Sequence, residues 1–395
     1  MSAAADDGPH PHAAGRRWLE PAAVLVVVLA VYLAATPRTN QAYRHFVYMA
    51  RGFLQGRVDL PGVPAYYHDV IHLGGRTYAP FPPVPALLLL PAVALWGEAT
   101  DQGRVGQTVA ALAVAVFVAA LRRMGIPPAV RLFCGAALAF GSVLWPAAAI
   151  GTTWFFAQEV VVLATALLVW ELAGGARPFV LSAVAVGGWL TRVTVLLAAP
   201  ALGLLLWLRH RRPAAVVAFL AANAAGALVY LTYNLLRFGD PLQTGYGMLS
   251  MAAPNAQAVA RWGFFNLRYV PQHLYAMLLR PPELMPTPPY LRPSPWGMSL
   301  LLTSPFVVRL LFPHSRAGWA RWATLVGCMA LPMLLYFSVG WVQFGYRYSL
   351  DWWVFLLVML AVALGDRPRP VDYALLALSV AMNGLGVYWV RVLGW

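Results

Sequence analysis

The sequence predicts an all-α polytopic integral membrane protein: about 11 transmembrane helices, plus juxtamembrane helices in a long first extracytoplasmic loop. Three observations predict it. Of 395 residues, 61% are hydrophobic and 11% charged, with a mean hydropathy of +0.65, whereas a soluble domain is about a quarter charged. Several apolar blocks approach the ~20 residues that a helix needs to cross about 30 Å of hydrocarbon. The basic residues fall in clusters between those blocks, as cytoplasmic loops require. All 28 are Arg, which with abundant Ala, Gly, Val and Pro reads as the codon bias of a GC-rich bacterial genome. Cys134 and Cys328 both lie inside apolar blocks, so neither a disulfide framework nor a zinc finger is available.

Residues 1–20 read as a polar cytoplasmic tail and residues 21–395 as a single transmembrane domain. "PAAVLVVVLAVYLAA" from Pro21 is the first span, its start held in the cytoplasm by Arg16 and Arg17. "LAAT" at its end is a small-residue pattern, so a removable signal peptide is the alternative. Residues 36–104 then form the first extracytoplasmic loop. Within it, "PVPALLLLPAVALWG" (83–97) is 15 residues long and carries Pro85 and Pro91. If it crossed, Arg122–Arg123 and Arg209–Arg212 would lie outside. If it only dips into the outer leaflet, every later cluster lies in the cytoplasm: Arg122–Arg123, Arg177, Arg209–Arg212, Arg316–Arg321 and Arg367–Arg369. The second solution is expected, a juxtamembrane or re-entrant helix. The later spans are expected at 105–121, 129–149, 157–173, 179–190, 193–208, 214–236, 298–312, 323–339, 353–364 and 371–390. The N-terminus is then inside and the C-terminus outside. A second large outer loop covers 237–296 and a third 340–352.

The net charge of +14 could serve nucleic acid, but this topology assigns most of it to helix orientation, so no nucleic-acid partner is expected. Asp6, Asp7, Glu20, Glu171, Asp366 and Asp372 fall on or near the cytoplasmic side. Asp59, Asp69, Glu98, Asp101, Glu159, Asp240, Glu283 and Asp351 fall outside or at the outer interface. Carboxylates near lipid carry a desolvation cost and tend to be functional.

The stretch "YYHDVIHLGGRTYAPFPP" (66–83) concentrates this polarity. Asp69 reads three ways: a solvated structural residue, a general base worth ~10²–10⁴-fold, or, with His68 and His72, a ligand of a divalent cation. Glu159, at the end of "GTTWFFAQE", is apolar-flanked near the outer interface, either as a functional carboxyl or as a snorkelling one. Arg192 interrupts the apolar run "GGWLTRVTVLL" near the outer leaflet, where a lone guanidinium needs an anion such as a lipid phosphate. Arg237 and Asp240 flank a turn and are candidates for a local clasp. Arg347 and Asp351, four apart, either bridge each other or face a ligand.

Four passages in order carry a resemblance: "HFVYMARGFLQGRVDL" (45–60), "GGRTYAPFPPVPALLLLP" (74–91), "YNLLRFGDPLQTGY" (233–246) and "QFGYRYSLD" (343–351). As a set they resemble the GT-C superfamily of membrane glycosyltransferases, most of all bacterial relatives of protein O-mannosyltransferases and lipid A aminoarabinose transferases. The resemblance implies a polyprenyl-phosphate-linked sugar donor and a glycan, lipid or protein acceptor, used on the extracytoplasmic face of the inner membrane. It also implies an inverting transfer driven by a first-loop carboxylate, with Arg side chains on the leaving phosphate. The family's Asp just after the first span is missing: "TPRTNQAYRHF" has Asn40 and no acid, and an amide is no base. Asp69 is the substitute expected here, then Asp59 and Glu159. Arg192, Arg237 and Arg347 are the expected phosphate ligands, and Asn40, His45, His68, Tyr78, Asp240, Tyr246 and Asp351 the expected substrate contacts. The rival class is a transporter or lipid-linked-sugar flippase, in which internal repeats and broken mid-membrane helices are typical; the sequence displays neither.

Overall fold

The computed structural model describes residues 11–392 and 394, with side chains from Trp18 onward except at 393 and 395. The chain opens with α1 (Pro11–Ala35), a short amphipathic α2 (His45–Leu54) and an antiparallel hairpin of β1 (Ile71–Leu73) and β2 (Arg76–Tyr78). Next come α3 (Val84–Trp96), α4 (Gln102–Arg123), α5 (Pro128–Ala139), α6 (Leu144–Ile150), α7 (Thr153–Leu172) and α8 (Pro178–Trp189). A 3₁₀ segment, Val193–Ala198, leads into α9 (Ala199–His210), and α10 (Pro213–Phe238) returns. The rest comprises α11 (Ala253–Trp262), α12 (Val270–Leu274), a second hairpin of β3 (Glu283–Leu284) and β4 (Leu291–Arg292), α13 (Leu300–Thr303), α14 (Trp319–Leu334), α15 (Trp353–Leu364) and α16 (Pro370–Val392).

The protein is a mostly helical, multi-pass membrane chain. Among the described residues six helical stretches are long and apolar enough to cross, or seven if α5 and α6, bent by 40°, count as one. Even with the bent α5–α6 pair counted as one, four of the eleven expected spans contain no helix long enough to cross. Two, α8 and α15, have 12 residues each, about 18 Å of rise. The block at 298–312 breaks at Ser304-Pro305, leaving α13 and a 3₁₀ run, and α14 ends two residues after Pro332. The 83–97 block is α3, at 13 residues also short of a crossing. Of the expected N-terminal tail, residues 1–10, including Asp6 and Asp7, lie outside the described residues, and helix begins at Pro11 rather than Pro21.

Breaks inside a bilayer expose backbone groups that neighbours must satisfy. Ser304 Oγ donates to the Gly141 carbonyl at the α5–α6 bend (2.7 Å), and Asn383 Nδ2 of α16 donates to the Thr303 carbonyl at the end of α13 (2.7 Å). The core is built on α4 against α7 and α1; Gly106 stands directly against Glu159 and Phe156 of α7, and Ala110 and Ala113 of α4 are fully buried. At one membrane end Glu20 of α1 is held by Arg131 (2.7 Å) and Arg122 (3.7 Å). At the same end Glu171 pairs with Arg177 (2.9 Å). A second apolar cluster at the other end joins α2, α3 and the start of α7 through Phe46, Tyr67, Phe81 and Phe156. It carries the first hairpin.

Candidate active site

Asp69 sits just before β1 with φ of 55°, a left-handed backbone that Asp tolerates better than most residues. Two contacts hold it there. The Trp154 indole N–H, in the first turn of α7, donates to Asp69 Oδ2 at 2.8 Å. One residue earlier, the His68 carbonyl lies 2.7 Å from His45 Nε2, while His45 Nδ1 lies 2.9 Å from Thr153 Oγ1. A carbonyl only accepts, so the proton is on Nε2 and Nδ1 is left as an acceptor facing the Thr153 hydroxyl, whose one proton serves either Nδ1 or the Tyr43 carbonyl at 3.0 Å. Burial lowers the His45 pKa to about 4, keeping the ring neutral. Tyr43, Tyr67 and Trp154 pack around this imidazole. His45 is therefore a brace beneath the loop rather than a group facing substrate.

Two arginines from distant parts of the chain lie in this neighbourhood: Arg347 is within electrostatic reach of both Asp69 and Arg192, and Tyr246 is within reach of Asp69 and Arg192 alike. Arg192 lies where α8 gives way to the 3₁₀ segment. Its Nε donates to Asp351 Oδ1 at 2.7 Å, and Thr194 Oγ1 donates to Asp351 Oδ2 at 2.8 Å. Arg347 begins the 3₁₀ turn Arg347–Asp351; its guanidinium lies 5.1 Å from the Phe155 ring centroid and 5.4 Å from that of Tyr348. Its Nε is buried without a hydrogen-bond partner among the described residues. Burial lowers its pKa, Tyr348 opposes that shift and the like charge of Arg192 adds to it; Asp69 is also within electrostatic reach. Arginine does not give up its proton at such sites, so Arg347 is a buried cation short of an anion. Tyr246 and Tyr336, both raised chiefly by burial, sense Asp69 and Arg192 as well as Tyr348.

The structure thus brings together five expected residues, Asp69, Arg192, Arg347, Tyr246 and Asp351, with Asp351 orienting Arg192 rather than facing outward. The expected Arg347–Asp351 bridge does not form, because the segment is a 3₁₀ turn and Asp351 is taken by Arg192. The Arg237–Asp240 clasp does not form either. Arg237 points inward to the carbonyls of Ala79 and Phe81 and to Asn234 Oδ1 (2.7 Å), stacked on Tyr233. Asp240 instead accepts from the Leu242 amide (2.8 Å) in an exposed turn. Asn40 makes a similar local turn with the Ala42 amide (2.8 Å). Tyr78 is buried on β2 against Phe238.

Asp59 is buried and gripped by Arg57, whose hydrogen bond holds its carboxyl below the usual carboxylate range. Glu159 does not snorkel to solvent. It lies wholly buried where α7 meets Gly106 of α4, with both oxygens unpartnered among the described residues. The cation reading of His68, Asp69 and His72 is corrected: residues 71–73 are strand rather than helix, and His72 turns to Thr77 across the hairpin (3.1 Å) while His68 lies by the Tyr43 ring. Among the described residues no three His, Cys, Asp or Glu side chains could hold a metal ion.

Sequence reasoning missed Trp154, Tyr336, Tyr348 and His273. The last is buried, with Nδ1 at 2.8 Å from Tyr346 Oη and Nε2 at 2.8 Å from the Tyr336 carbonyl. It ties α12 to the tyrosines of the site. Compared with protein-family models, curated proteins and solved structures, the chain matches none.

Proposed function

We propose that this protein transfers a sugar from a polyprenyl-phosphate donor to an acceptor hydroxyl at the membrane face that carries the first hairpin. That face is the extracytoplasmic side of a bacterial inner membrane, where the family resemblance puts such sites. The observation that carries the reading is one carboxylate and two cations from separate segments in one neighbourhood: Arg347 is within electrostatic reach of Asp69 and Arg192, and Tyr246 is within reach of Asp69 and Arg192 alike. Asp69 is the base. Trp154 fixes Oδ2, and Oδ1 accepts the proton of the acceptor hydroxyl as its oxygen attacks the anomeric carbon. Proton removal of this kind contributes ~10²–10⁴-fold. The bond to the phosphate breaks in the same displacement, so the anomeric centre inverts. Arg192 and Arg347 neutralise the charge that develops on the departing phosphate; in a site poor in water such fixed charges act strongly. Arg347, lacking an anion of its own, gains most from that phosphate. The polyprenyl tail stays in the bilayer beside the site. Purified protein incubated with a panel of radiolabelled polyprenyl-phosphate sugars tests the reading: one donor is consumed, with release of polyprenyl phosphate.

A second reading has support of its own. Bent or broken helices at α5–α6 and α13, and the unpartnered carboxyl of Glu159, are features of transporters and flippases. A flippase would move the labelled lipid across a vesicle without cleaving it.

A further inference from the structure

The membrane end opposite Asp69 carries a feature that sugar transfer does not use. Helices α9 and α10 form a hairpin at whose turn four basic residues stand in a row, Arg209 and His210 ending α9 and Arg211 and Arg212 making the connection. Between the two helices runs a groove of about 460 Å3 lined only by apolar side chains, among them Pro200, Leu204, Trp207, Pro213 and Val217. Trp207 and Pro213 bracket the basic connection in sequence, so the groove ends at the arginines. From Pro200 to Trp207 it follows about 10 Å of helix.

Arg209 and His210 are engaged at the backbone, donating to the carbonyls of Gly174 (3.3 Å) and Ala176 (2.9 Å). Arg211 and Arg212 are exposed, and among the described residues neither side chain has a hydrogen bond or carboxylate partner. Arg211 also takes a left-handed backbone, φ 53°, at the C-cap of α9.

We infer that this hairpin binds an anionic phospholipid, one acyl chain in the α9–α10 groove and the headgroup phosphate on Arg211 and Arg212. An occupant of the groove must be apolar and come from the bilayer, since Leu204, Val217 and Leu220 are exposed on membrane-spanning helices. The end beside the connection must be anionic, because the unpaired groups there are guanidinium ions. A zwitterionic lipid would bring an ammonium that finds no acid, and a free anion would leave the groove unfilled. Juxtamembrane basic residues attract anionic headgroups in general; the adjoining groove turns that attraction into a site.

The test uses full-length protein, delipidated in detergent and titrated with dioleoyl phosphatidylglycerol or dioleoyl phosphatidylcholine, with retained lipid read by native mass spectrometry. Phosphatidylglycerol is retained at least about tenfold more tightly. The double variant Arg211→Gln/Arg212→Gln, altered only at exposed side chains, brings it to the phosphatidylcholine level. Leu204→Trp, which fills the groove and leaves the charges, also weakens retention. Arg316→Gln, an exposed arginine outside the groove, changes nothing. Equal retention of the two lipids overturns the inference, as does a preference that survives Leu204→Trp or one that Arg316→Gln lowers equally.

Discussion

Trp154 and Asp69, 85 residues apart, meet through one hydrogen bond of 2.8 Å from the indole N–H to carboxylate Oδ2. That bond ties the loop before the first hairpin to the start of α7. With His45 beneath the His68 carbonyl, it fixes both the backbone and the carboxylate of the residue assigned as base. Trp154→Phe keeps the ring and removes the donor. On the proposed mechanism kcat falls about tenfold, because a net hydrogen bond to a charged group is worth roughly 1.5–3 kcal/mol and part of it acts on orientation. KM for the donor stays within a factor of about two. Steady-state kinetics on the purified variant check the split.

The two arginines have different expected effects. Arg347→Gln removes a buried cation that forms no ion pair among the described residues, so the fold is stabilised or unchanged while donor affinity drops by at least about tenfold. Arg192→Ala also weakens the donor, but it leaves Asp351 as a buried, uncompensated charge and costs about 3 kcal/mol of stability. Thermal unfolding in detergent, with donor titrations on the same samples, separates the two.

Acidification acts on His45. Its folded pKa is about 4 against an ordinary 6.5, so as pH falls the unfolded chain takes up the proton first. Stability is complete above pH 6.5, declines between 6.5 and about 4, and is flat for this group below that. The loss is on the order of 3 kcal/mol. Asp59, with its pKa lowered by Arg57, adds a loss only below the ordinary carboxylate range. Unfolding midpoints measured from pH 7 to pH 4 show the decline in the native chain, and His45→Gln removes most of that slope.

Packing of α4 on α7 is testable at Gly106. A Cβ there would collide with Glu159 Oε2 and stand 3.2 Å from the Phe156 ring. Gly106→Val therefore forces the helices apart and destabilises by about 1–3 kcal/mol. Combining it with Glu159→Ala recovers part of that loss, measured by denaturation in detergent.

Much of this arrangement is legible in the sequence where chemistry and hydropathy act alone. The first loop, the short α3 and the outlying status of Asp69 and Arg192 follow from charge in an apolar chain. The pairings do not. Arg347 and Asp351 are four apart, which suggests a bridge only if the segment is an α-helix; as a 3₁₀ turn it sends Asp351 to Arg192, 159 residues away. The α5–α6 bend depends on Ser304 being present to cap Gly141, a partner 163 residues distant. Trp154 and His273 carry no local signal because their roles come from what folds against them. At Glu159 the apolar neighbours fit a snorkelling carboxylate and a buried helix contact equally well, and the fold buries it.

The most direct test of the account is single-turnover transfer by the native protein and by Asp69→Asn, with the radiolabelled donor that the native protein consumes. The account predicts that the variant folds, binds donor with near-native affinity and transfers the sugar at least about a hundredfold more slowly. Transfer by Asp69→Asn at the native rate would contradict it.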